Sequence, residues 1–347
     1  MQDGILVFLS EWLRGNLLAL IGYEFIVDLI MLGVKIGAIL FVIMNAALFL
    51  TYGERKVCAF MQVRLGPNRV GGRFGLLQPV ADAMKLMSKE DIIPKDADRW
   101  VWGLSPLLAF VPAAMVYAFV PFDAGAFFAD LNIGLFLLIA ISAQTVIPML
   151  MGGFGSNNKY ATIGGMRVAA QLISYDVPMV FGLLGVVMIT GSLKMSDIVA
   201  AQSDCWFAVM QPIPFIIYMI TAVAESNRAP FNLVEGESEI IAGPFTDYSG
   251  MRWALYFLAE YANLLAISIL TTTLFLGGWH GPAFLPGFVW FWLKVLVMLF
   301  VYMWYAWTYP RIRIDHMLSL CWKVLLPLAL VNVVLTGIGI YLYHLWF

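Results

Sequence analysis

The chain has 347 residues, is 62% hydrophobic and 12% charged, and carries a formal net charge of −2. Its mean hydropathy of +0.86 excludes a soluble globular enzyme, and the absence of a basic excess gives no footing for nucleic acid. Long apolar runs without period-two alternation exclude a barrel, so the fold class is an all-α integral membrane protein of about eight transmembrane helices.

In chain order, the first segment (1–20) contains Asp3, Glu11 and Arg14 and has no small-residue cleavage site. It reads as a partly amphipathic lead-in rather than a cleavable signal. Spans are expected near 27–52, 101–121, 132–152, 172–192, 209–229, 254–276, 288–309 and 324–346, all in a single membrane domain covering 1–347. Between the first two, Leu76, Val80, Met84 and Met87 recur at helical spacing while Asp82, Lys85 and Lys89 share another face. An amphipathic helix over about 75–90 follows, with Pro79 tolerated in its first turn, suited to the membrane surface or to a soluble partner.

Basic residues set an orientation. Arg55, Lys56, Arg64, Arg69, Arg73, Lys85, Lys89, Lys95 and Arg99 crowd the connection after the first span. Every second connection continues the bias: Lys159 and Arg167, Arg228 and Arg252, then Arg311, Arg313 and Lys323. The other side has Arg14, Lys194 and Lys294. The positive-inside rule then predicts both termini outside and a loop at about 225–251 on the inner side. Lys35 falls near the outer surface, where it can snorkel.

That inner loop is acidic. Glu225, Glu235, Glu237 and Glu239 fall within one short stretch, with Asp247 just beyond. Each ionised group near hydrocarbon costs roughly 2.5–3.5 kcal/mol, so such a cluster is either a solvated loop or a proton-accessible conduit. Asp176, near the start of the fourth expected span, and Glu260, about 12 Å deeper along its helix than Arg252, extend the acids into the membrane. Tyr256 and Asn263 stand at spacings that allow a hydrogen bond to Glu260. Crowded carboxylates raise one another's proton affinity and titrate as a set. Arg55, Lys56 and Arg64, beside Glu54, are either interfacial anchors or a cationic mouth that stabilises a substrate gaining negative charge.

Other chemistry is absent. Cys58, Cys205 and Cys321 form no CxxC pair, and His280, His316 and His344 have no mid-span partner, which argues against a metal, an iron–sulfur cluster or a haem on this chain. There is no glycine-rich phosphate loop. No catalytic redox residue stands out.

Four blocks carry a family resemblance: Glu54-Arg55-Lys56-Val57 leading to Arg64-Leu65-Gly66-Pro67-Asn68-Arg69-Val70-Gly71; Leu77-Gln78-Pro79-Val80-Ala81-Asp82-Ala83-Met84-Lys85-Leu86; Ala170-Gln171-Leu172-Ile173-Ser174-Tyr175-Asp176; and Ala224-Glu225-Ser226-Asn227-Arg228-Ala229-Pro230-Phe231 through Glu239. With Pro310-Arg311-Ile312-Arg313-Ile314-Asp315, the chain from about residue 25 onward resembles the H-type membrane subunits of proton-pumping NADH:quinone oxidoreductase, respiratory complex I.

The resemblance implies a translocase subunit at the junction of membrane and peripheral arms. It would form the membrane side of the quinone chamber and couple quinone reduction to proton translocation. The implied proton-coupling residues are Glu54, Asp176, Glu225, Glu235, Glu237, Glu239, Asp247 and Glu260. The implied chamber or entrance residues are Arg55, Lys56, Arg64, Asp82, Met84, Arg228 and Phe231. No cofactor is expected on this chain: quinone, as ubiquinone, is substrate, and FMN and iron–sulfur clusters belong to partner subunits. Other membrane-arm and peripheral-arm subunits and the lipid bilayer are the expected partners, in a bacterial inner membrane rather than a mitochondrial one. Asp176, Asn232 and Asp247 depart from the pattern, which has Glu, Asp and Glu there; Asn232 cannot ionise. Two alternatives remain, a homologous subunit of a membrane-bound hydrogenase-type complex and a stand-alone proton-coupled transporter. The two halves show none of the internal repetition common in transporters.

Overall fold

The structure is a computed structural model describing residues 5–123, 127–234, 236–282 and 284–346. Its regular elements are helices: α1 Ile5–Ile21, α2 Glu24–Met61, α3 Gln78–Ser88, α4 Arg99–Met115, α5 Gly134–Ala143, α6 Val146–Gly155, α7 Lys159–Thr190, α8 Met195–Ala200, α9 Phe207–Met210, α10 Pro212–Glu225, α11 Glu237–Ile240, α12 Gly250–Phe275, α13 Gly287–Thr308, α14 Ile314–Leu320 and α15 Leu326–Trp346. Seven stretches among the described residues are long and apolar enough to cross a membrane. The architecture is that of an all-α integral membrane protein.

The expected spans all have helical counterparts, with informative differences. The first is α2, whose 38 residues reach about 57 Å, well beyond a hydrocarbon core of about 30 Å. A helix that long must tilt or project. The fourth begins at Lys159, so Arg167 lies on α7 and not in a connection. The fifth is short: α10 has 14 residues, about 21 Å, opened by Pro212 and ended at Glu225. Irregular backbone at such depth is tolerable only where protein covers it. The chain after α10 meets that condition, with Phe231, Leu233, Val234, Ile240 and Tyr248 all buried. Of the two readings of the inner loop, the burial of these residues disfavours a simple solvated connection.

Local signals explain the ends. Asp98 caps α4 by accepting from the Trp100 and Val101 amides, and Asn158 caps α7 through the Tyr160 amide. Gly191, at φ 65°, takes the left-handed conformation that closes α7. α7 is the central post, packed against α6, α10 and α15, while α12 packs on α4, α13 and α2.

The amphipathic helix is present as α3, with Pro79 in its first turn. It rests on α2 and α12 and leaves Met84 and Met87 exposed. Lys294, counted among the outer-side cations, is buried. Its Nζ donates to the carbonyls of Leu276, Gly278 and His280 at 2.6, 3.0 and 2.6 Å, a cage that satisfies the ammonium and the end of α12 together.

Candidate functional site

α10 ends at Glu225, and Asn227 (φ 54°) turns the chain back so that Arg228 enters the bundle. Gln171 of α7 fixes this turn, donating to the Ala224 carbonyl at 2.7 Å and to Asn227 Oδ1 at 3.3 Å. Arg228 Nη1 then donates to both carboxylate oxygens of Glu54 at 2.6 Å, and its Nε lies 2.7 Å from Glu260 Oε1. The guanidinium stands 4.3 Å from the centre of the Tyr261 ring, while the Tyr261 hydroxyl donates to Glu54 Oε2 at 2.7 Å. Glu54 is 7% exposed and Arg228 9%. Charges removed this far from water survive only when paired. Two carboxylates share one arginine, so α2, α12 and the turn after α10 meet at a single cation.

Glu260 was expected to lean on Tyr256 and Asn263. Its ion-pair partner is Arg228, from another segment, while the Tyr256 hydroxyl is engaged with Ser105 and Asn263 shares a cavity lining with Glu260. Glu260 also lines a narrow cavity with Thr145, Asn227, Asn232 and Asn263, next to the break between α5 and α6. These polar side chains suit a hydrogen-bonded, water-sized guest.

A second acidic pair lies at the junction of α7 and α10. Glu225 stands near Ser142 and within electrostatic reach of Asp176. Farther along, Glu239 pairs with Arg167; that hydrogen bond, with Arg311 and Arg313 nearby, holds its carboxyl below the ordinary range. Asp247 accepts from Asn158 Nδ2 at 3.4 Å. Glu235 lies outside the described residues, and the same holds for the side chain of Glu237.

The anticipated entrance divides. Arg55 pairs with Asp82 at 2.5 Å, tying α2 to α3, and Lys85 reaches the same carboxylate at 3.9 Å. Lys56 lies 5.6 Å from the Tyr52 ring, and Arg64 bonds Gln62. Met84 is exposed nearby on α3. Arg228 and Phe231 do not join this surface. Arg228 is the hub of the buried triad, and Phe231 packs 5.3 Å from the Tyr175 ring. Tyr261, Ser142 and Thr145 complete the site without having been nominated for it by sequence pattern, whereas Asn263, named by its spacing from Glu260, shares the cavity lining with it. Only Tyr261 carried a signal, a phenol following an acid on an apolar helix.

Residues 34–337 match the family model described as NADH dehydrogenase. The chain belongs to this family. Every member of the triad lies inside the matched segment, as do α3 and the cavity, whereas α1 precedes it. Similar family members include the H subunit of the NADH-quinone oxidoreductase of Geobacillus kaustophilus, 55% identical over 309 residues, which cover 87% of this chain and 92% of the relative. The Anoxybacillus flavithermus protein of the same name is 54% identical over 296 residues, 84% of this chain and 89% of that one. The Carboxydothermus hydrogenoformans protein, also so named, is 50% identical over 319 residues, 91% of each chain.

Proposed function

We propose that this chain is the membrane subunit of an NADH:quinone oxidoreductase that borders the quinone chamber and couples quinone reduction to proton translocation. Relatives at 50–55% identity, each named as the H subunit of an NADH-quinone oxidoreductase, support the assignment to the complex. The observation that carries the coupling role is the Glu54–Arg228–Glu260 triad. Glu54 is followed directly by Arg55, whose pairing with Asp82 ties it to the exposed α3 surface. Glu260, at the other end, borders the polar cavity. The triad therefore lies between a cationic mouth and a proton-accessible interior.

Reduction of a quinone consumes two electrons and two protons. In this reading the electrons arrive from FMN and iron–sulfur clusters on peripheral-arm subunits, and ubiquinone is the acceptor. Negative charge developing on the headgroup draws on Arg55, Lys56 and Arg64. A change of charge there shifts the balance of Arg228 between its two carboxylates, which it contacts at 2.6 and 2.7 Å, because the nearer added charge changes its attraction to one more than to the other. Glu260 is then more or less available to a proton in the cavity, with Asp176 and Glu225 as the neighbouring exchange pair and Glu235, Glu237, Glu239 and Asp247 toward the inner side. The basic-residue bias puts both termini outside a bacterial cytoplasmic membrane.

The test is made in fully assembled complex. Arg228→Gln should abolish NADH:quinone turnover and vesicle acidification together while NADH:ferricyanide reduction persists. Wild-type quinone turnover with wild-type acidification would overturn the coupling role. Loss of ferricyanide reduction would instead mean a failed joint with the peripheral arm.

A further inference from the structure

α1 and most of the first three turns of α2 precede the segment that matches the family, which begins at residue 34. The two helices form a hairpin. Gly22, at φ 75°, turns the chain, and Arg14 Nη2 pairs with Asp28 Oδ1 at 2.9 Å across it. Counted from this turn at about 1.5 Å per residue, Glu11 stands ~15 Å along α1 and Lys35 ~17 Å along α2. Opposite charges thus occupy one level of the hairpin. With Arg14, Asp28, Met31 and Leu32 they line an open cleft. Among the described residues, Arg14 and Asp28 satisfy each other, whereas Glu11 and Lys35 form no ion pair.

We propose that this cleft binds the zwitterionic headgroup of an aminophospholipid, its phosphate on Lys35 and its ammonium on Glu11. Charge complementarity selects the occupant. One cation and one anion stand across a gap they do not close themselves, so a group carrying both signs satisfies both. An anionic headgroup meets Lys35 but is repelled by Glu11. The depth agrees. The 18 residues from Ile36 to Gly53 contain no charge and cover about 27 Å, close to the ~30 Å of a hydrocarbon core. Lys35 therefore stands at headgroup level. Further along the same face of α2, Val42 and Phe49 are 41% and 70% exposed, an apolar flank for the acyl chains.

The experiment uses the assembled, delipidated complex with a photoreactive diazirine residue at Leu32. It is reconstituted separately with phosphatidylethanolamine and with phosphatidylglycerol, and the adducts on this chain are quantified by mass spectrometry. Phosphatidylethanolamine should give the larger adduct yield. Lys35→Ala should lower it about fivefold, and Glu11→Gln should erase the preference over phosphatidylglycerol, with NADH:quinone turnover unchanged in both variants. Equal yields from the two lipids in the otherwise wild-type chain would overturn the proposal. So would yields unmoved by both substitutions, or adducts to a neighbouring polypeptide in place of lipid.

Discussion

Arg228 Nη1 lies 2.6 Å from each carboxylate oxygen of Glu54, across 174 residues of chain. The contact unites the inner part of α2 with the turn that ends α10, and Glu260 brings α12 to the same guanidinium. Breaking a buried pair by removing one partner typically costs 3–5 kcal/mol, because the other charge is left uncompensated. Glu54→Gln and Arg228→Gln should therefore each lower the thermal stability of the assembled complex. The double substitution should cost less than the sum of the two. Differential scanning fluorimetry of all three variants measures this, and strict additivity would mean that the two residues do not interact.

The entrance makes a separate prediction. Arg55 is 46% exposed and Asp82 24%, so their pair contributes only about 0.2–1 kcal/mol to stability and is free to serve a ligand. Arg55→Ala and Met84→Glu should raise the apparent KM for quinone while ferricyanide reduction persists. KM rising with kcat preserved would identify lost binding common to ground and transition states. Poor assembly of both variants would make this surface a structural joint.

Much of this architecture was legible. Hydropathy finds the long helices from α2 onward because the bilayer imposes a length, and the spacing of Val80, Met84 and Met87 finds α3. What hydropathy could not find was the end of α10, which depends on Asn227 in a left-handed conformation and on Gln171 holding the turn. Without that turn the acids read as a solvated loop. Nor could hydropathy show that Arg228, counted as an inner-side cation, is buried in the bundle. Ion-pair partners were the least legible feature: spacing along one helix can nominate hydrogen-bond neighbours such as Asn263 for Glu260, but it cannot show a guanidinium delivered from another segment. The acids themselves were recognisable because charge is scarce in this chain.

Glu239 supplies a pH prediction. Its carboxyl is held below its ordinary value of 4.5, first by the hydrogen bond from Arg167. A depressed carboxylate contributes stability above the unfolded value and loses it as pH falls through the folded one. The attachment of α11 to α7 should therefore be constant from pH 8 to 6 and loosen only below the ordinary carboxylate range. Hydrogen exchange of residues 236–245 reads this directly. Arg167→Gln should raise exchange throughout and move the acid transition upward; an unchanged transition would detach Glu239 from Arg167.

Glu225 and Asp176 test proton exchange without touching the triad. Glu225→Gln keeps the shape and hydrogen-bonding capacity of the side chain while removing ionisation. Quinone turnover and acidification should fall together by about tenfold, a barrier change of roughly 1.4 kcal/mol, with Glu225→Asp restoring part of each. Wild-type rates in Glu225→Gln, Glu235→Gln and Glu237→Gln would leave these residues without a part in coupling.

Tyr261 separates ring from hydroxyl. Its ring faces the Arg228 guanidinium at 4.3 Å, and its hydroxyl donates to Glu54 at 2.7 Å. Tyr261→Phe keeps the cation–π contact and the packing, and deletes one hydrogen bond to a charged group, worth about 1.5–3 kcal/mol. Assembly should survive because the Arg228–Glu54 pair remains. If the distribution of Arg228 between Glu54 and Glu260 governs coupling, weakening one side must shift it even though no charge has been removed. Quinone turnover should then fall severalfold, with acidification falling in parallel, and Tyr261→Leu, which also loses the ring, should fall further. Paired measurement of NADH:quinone turnover and vesicle acidification decides the matter. A Tyr261→Phe complex with wild-type turnover and acidification would show that the triad is a static support, its arginine fixed in place while the proton moves elsewhere.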